Sequence, residues 1–164
     1  MSAKIAALAL LAAQAEAAPE AVPCIPRAQA GEMAVVLIPS LIDNAARRCV
    51  GHLPAGAFLG ARSAAMTARL RAEAAPFRDR AVGQILELTG QAVAPAEGTT
   101  NDQMIELVTA SMAGALEPER CASANELVES LSPLPARNLG QMFGVLIGLG
   151  AEFAGEEAPQ VCAT

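Results

Sequence analysis

Residues 33–42, MAVVLIPSLI, are apolar on nearly every side of a helical projection, and this run decides the fold class. A surface helix keeps one polar face. One that is apolar all round has to sit inside a layer of other elements. The run lies within a longer helical pattern over residues 28–50, which turns polar at Asp43 and Arg47–Arg48, reaches Cys49, and is stopped by Gly51, Pro54 and Gly56. Pro39 removes one backbone hydrogen bond inside the run and is expected to kink the helix or split it at Ile38.

Working outward, helical spacing recurs and no strand of useful length is visible. Residues 57–75 are alanine-rich, with Leu59, Met66 and Leu70 among arginines. Pro76 suits the first turn of a new helix, in which Phe77, Ala81, Val82, Ile85 and Leu86 form one apolar face up to Gly90. After a loop at 91–98, Thr100 with Gln103 reads as a capping box opening a helix to about residue 116. Its inner face is Met104, Leu107, Val108, Ser111, Met112 and Ala115. Ser123 with Glu126 reads as a second capping box, for a helix ending near Leu131. Ser132-Pro133-Leu134-Pro135 is a stiff connector, and the last helix covers about 136–153. The expected fold is all-α, a compact bundle of five or six helices.

The N-terminal 17 residues read as an export signal. Lys4 precedes an apolar stretch, IAALALLAA at 5–13, and Ala15-Glu16-Ala17 supplies a cleavage site. The stretch is about half of the ~20 residues a membrane span requires. Residues 18–27 then form an extended, proline-bearing leader, 28–154 the bundle and 155–164 a C-terminal tail. Pro23 before Cys24 argues against a lipid-anchor cysteine, and no membrane span is expected once the signal is removed. The rich alanine content, with arginine replacing lysine after Lys4, is a GC-rich coding bias. Together with export it points to a periplasmic or secreted bacterial protein.

Export puts Cys24, Cys49, Cys121 and Cys162 in an oxidising compartment, where an even number of cysteines implies two disulfides. No C-x-x-C is present for thiol exchange, and the spacing does not suit zinc. A straight helix over 28–49 is about 30 Å long at ~1.5 Å per residue. That length separates Cys24 from Cys49 and disfavours pairing them, given the roughly 4.4–6.8 Å Cα spacing a disulfide allows. Cys24–Cys162 with Cys49–Cys121 and Cys24–Cys121 with Cys49–Cys162 both remain open. The first is preferred because it ties down both terminal segments.

Charge is uneven along the chain. Residues 18–80 hold eight arginines against five acids, and residues 81–164 hold two arginines against eleven, within a net charge of −6. The two halves are expected to attract one another inside the fold. The alternative is a docking face of Arg62, Arg69, Arg71, Arg78 and Arg80 for an acidic protein partner. The acidic balance and the scarcity of aromatics, four phenylalanines with no tryptophan or tyrosine, argue against nucleic acid as a partner.

Gly140, Gly144 and Gly148 form a small-residue ladder on the last helix. Each glycine costs about 1 kcal/mol in a helix, so close packing is expected, either on the 34–42 segment of the same chain or on a second copy in a homodimer. His52 is the single histidine and sits in a predicted turn without identifiable partners. With no tyrosine, and no lysine beyond Lys4, few acid–base or nucleophilic groups remain. Glu126 with Glu129, Glu117 with Glu119, and Ser40 are read as surface or structural groups. No catalytic residue, metal ligand or cofactor is assigned. The expected function is non-enzymatic, an exported helical protein acting by protein–protein interaction. The alternative is a carrier or sensor of an apolar ligand held between the 33–42 and 142–151 helices.

Overall fold

In the computed structural model, residues 24–89, 100–154 and 161–162 are described. The expected signal, most of the expected leader and tail, the predicted helix end at Gly90 and the predicted loop at 91–98 lie outside them. The fold is all-α. Six helices of eleven residues or more, α1 (Arg27–Cys49), α3 (Ser63–Ala74), α4 (Arg78–Thr89), α5 (Asn101–Gly114), α6 (Cys121–Leu131) and α7 (Ala136–Ala154), are joined by a single helical turn, α2 (Phe58–Ala61).

Helix α1 is the hub of the bundle, and every other helix rests on it. Its apolar run buries Met33, Val35, Val36, Ile38 and Ile42, and Pro39 is fully buried with them. The helix is not split at Ile38, because neighbours on all sides hold the turn together despite the hydrogen bond that Pro39 cannot donate. Pro76 lies in a 3-10 turn, Ala75–Phe77, between α3 and α4.

The Thr100 capping box is formed: Gln103 N–H donates to Thr100 Oγ1 at 3.3 Å and Thr100 N–H to Gln103 Oε1 at 2.8 Å. The Ser123 box is not. Helix α6 starts two residues earlier, at Cys121, on a 3-10 turn over Pro118–Arg120, which leaves Ser123 inside the helix. A disulfide at Cys121 fixes that start.

The two disulfides are Cys24–Cys162, with Cα atoms 5.4 Å apart, and Cys49–Cys121, at 5.5 Å. Beside the first, Ile25–Pro26 (β1) and Val161–Cys162 (β2) form a two-residue parallel ladder. Sequence pattern does not reveal a ladder this short, because the cross-link and not strand propensity brings its residues together.

Helix α7 lies along α1 at backbone contact. A Cβ on Gly140 would meet Gly31 O at 2.9 Å and Val35 Cγ2 at 2.8 Å, and one on Gly144 would meet Arg27 O at 2.7 Å. The partner stretch is thus 27–35, one to two turns before the expected 34–42, because Gly31 is where α1 itself lacks a side chain. Gly148 faces Val161.

Candidate apolar groove

Helices α5, α6 and α7 all rest on α1 but pack little on one another. Each has its own anchor. For α5 the anchor is polar: Asn44, buried on α1, donates to Thr109 Oγ1 at 3.1 Å and to Ser40 O at 2.9 Å, while Thr109 donates to Ile105 O at 2.7 Å. For α6 it is the Cys49–Cys121 bond together with Leu59 N–H donating to Asn125 Oδ1 at 2.9 Å. For α7 it is the glycine contact.

The helices are therefore held apart at fixed spacing over α1, and a groove of about 380 Å³ runs between them. Ile38, Leu41, Ile42 and Ala45 of α1 form its floor. Met112 and Leu116 stand on one side, and Leu127, Val128 and Leu131 on the other, with Leu139 and Phe143 of α7 closing one end. No charged side chain lines it. Met112 and Leu127, at its lips, are 53% and 58% exposed. The trough is thus apolar from its floor to its rim.

A second cleft, of about 830 Å³, opens on the other side of α5. Val36, Pro39 and Ile105 lie at its base, with Arg71, Arg78, Asp102 and Glu106 along its edges. Of its charged residues, Arg78 pairs with Asp102, and Arg71 pairs with Asp43 outside the lining.

All five arginines singled out from the sequence carry a carboxylate partner in the same chain. Besides those two, Arg62 pairs with Glu129, Arg80 with Glu32 at 2.8 Å, and Arg69 with Glu73 at 3.0 Å. Arg62 also lies 5.0 Å above the Phe58 ring. Arg47–Glu106, Arg62–Glu129 and Arg78–Asp102 join the arginine-rich half to the acidic half. His52 is exposed in the turn after α1, its N–H donating to Cys49 O at 3.0 Å. Glu117, Glu119 and Glu126 are exposed, and Ser40 edges the charged cleft.

The groove differs from the pocket expected between residues 33–42 and 142–151. Met33 and the second half of α7 take no part in it, and α5 and α6 provide the walls. The spacing of Met112, Leu116, Leu127 and Leu131 on two amphipathic helices was the available signal, but that pattern reads equally as core. Compared with protein-family models, curated proteins and solved structures, the chain shows no match.

Proposed function

We propose that this is an exported, non-enzymatic helical protein, periplasmic or secreted, that acts by protein–protein contact, and that the groove over α1 receives the apolar face of a partner's helix. The observation that carries the reading is the open, charge-free trough with Met112 and Leu127 at its lips. Its floor, residues 38–45, is about 10 Å long at ~1.5 Å per residue, which suits about two turns of a docked helix. Methionine at the lip favours a surface that adapts to its ligand. The two disulfides accord with export. No described helix is long and apolar enough to cross a membrane. The arginines support the groove over the basic face as the working surface, since each of the five is already paired within the chain.

A second reading, a small apolar ligand, rests on the groove volume of about 380 Å³, which falls in the range of small-molecule sites. Photo-crosslinkers placed at Leu127 and Met112, and at Gly83 on α4 as a remote control, separate the two. A discrete protein cross-linked in the exported fraction at the first two positions and not at the third is the expected result. A small extractable adduct there would favour the second reading. No adduct specific to the lips would refute both.

A further inference from the structure

We propose that the charged cleft between α5 and the α3–α4 side of the bundle binds a small zwitterion with an apolar body, namely a short apolar peptide with both termini free. The cleft, of about 830 Å³, arises because α3, α4 and α5 all pack on α1, while α5 packs little on the other two. Its base is apolar, with Val36, Pro39 and Ile105. Its two walls carry opposite charge. Arg71 and Arg78 stand on the α3–α4 side, and Asp102 and Glu106, one turn apart on α5, stand on the other. The Arg78–Asp102 ion pair joins the walls.

Charge selects the ligand class. A free anion would meet Asp102 and Glu106 in a chain of net charge −6. A cation would meet two arginines, and a wholly apolar molecule would strip water from both walls without replacing it. A zwitterion serves both walls, its carboxylate on Arg78 and its ammonium on Asp102, and its net charge is zero. Arginine with a carboxylate is among the strong charge-assisted pairings. Entry costs little, because Arg78 and Asp102 are 39% and 78% exposed and a pair so open adds little stability. The ligand exchanges that single pair for two. Arg71 stays held by Asp43 and Thr67, and Glu106 by Arg47, so the charges beside the opened pair remain in place. The volume lies toward the upper end of small-molecule sites, roughly 300–1,000 Å³, which favours two or three residues over a single amino acid.

This inference is independent of the groove, which shares no lining residue with the cleft. Calorimetric titration of the oxidised chain with leucyl-leucine, its N-acetyl form, its C-terminal amide and glycyl-glycine tests it. Leucyl-leucine should bind one to one, and each of the other three about tenfold more weakly or not at all. Arg78→Gln and Asp102→Asn should each weaken leucyl-leucine to a similar extent while far-ultraviolet circular dichroism stays unchanged. The losses should also be specific: Arg78→Gln should remove the penalty for the amide, and Asp102→Asn the penalty for the N-acetyl form. Leu127→Asp, on the groove lip, should bind like the parent. A dissociation constant for leucyl-leucine weaker than about 1 mM would overturn the proposal. So would blocked peptides that bind the parent chain as well as the free one, since the cleft would then be reading the apolar body alone. Loss of binding in Leu127→Asp would place the peptide in the groove and overturn it equally.

Discussion

Glu73, on α3, caps α7 from outside that helix: its Oε2 accepts the N–H of Ala136, the first residue of α7, at 2.6 Å. The first N–H groups of a helix have no partner within it, and the Ser132–Pro135 connector places no serine or threonine at the capping position. A carboxylate brought from a distant helix does the work instead. Arg69 completes the clamp by donating to Ser132 O at 2.7 Å, Leu134 O at 3.1 Å and Glu73 at 3.0 Å.

The clamp makes stability depend on pH. The Ala136 N–H is the main cause that lowers the Glu73 pKa; burial opposes it, and the hydrogen bond and charge of Arg69 add to it. The folded pKa thus lies below the unfolded one, about 4.3 for glutamate. The contribution is complete above that unfolded value and is lost as pH falls through the folded one. Urea midpoints measured over a pH series should show Glu73→Gln weaker than the parent at neutral pH, with the two curves converging in acid. A gap that persists undiminished into acid would mean that the carboxylate charge is not what caps α7.

The same substitution at two glycines should give opposite signs. Gly140→Ala drives a methyl group into Gly31 O and Val35, and overpacking of this kind costs about 1–3 kcal/mol. At Gly83 an added Cβ meets nothing within 4 Å, so Gly83→Ala should raise stability by about 0.4–1 kcal/mol. Thermal or denaturant melts of the two variants check the pair.

Thr109→Val keeps the side-chain shape but leaves buried Asn44 without one of its acceptors. The expected loss is about 1–3 kcal/mol. In a double-mutant cycle with Asn44→Ala the second change should cost less once the first is made. Strict additivity would show that Asn44 and Thr109 are not coupled.

The two disulfides should open in order. Cys24 is exposed, whereas Cys49 and Cys121 are both 0% exposed. Rising reductant, followed by alkylation and peptide mapping, should release Cys24–Cys162 first with helix content retained. Removing Cys49–Cys121, which closes a separation of 72 residues, should cost about 2–4 kcal/mol.

Much of the fold is legible residue by residue. The 33–42 run placed α1 at the centre, Thr100 and Gln103 marked the start of α5, and the length of α1 alone kept Cys24 from Cys49. Ser123 misled because local capping chemistry competes with tertiary anchors, and the bond at Cys121 prevails. The groove was not legible. Its floor and walls come from α1, α5, α6 and α7, and whether Met112 and Leu127 are core or lip depends on which helices leave a gap. Periodicity along one helix carries no such information. The charge asymmetry was visible, but the fold alone decides that Arg62 meets Glu129 and Arg78 meets Asp102.

Cys24 and Cys162, 138 positions apart, come within 5.4 Å of each other. Everything between them leaves and returns at one point, like a bag closed at its neck. A protein engineer could therefore insert residues 24–162 into a surface loop of another protein, where the host's two loop ends replace the cross-link. The same closure would allow a circular permutant, its old ends joined and new ones cut at the exposed turn near His52.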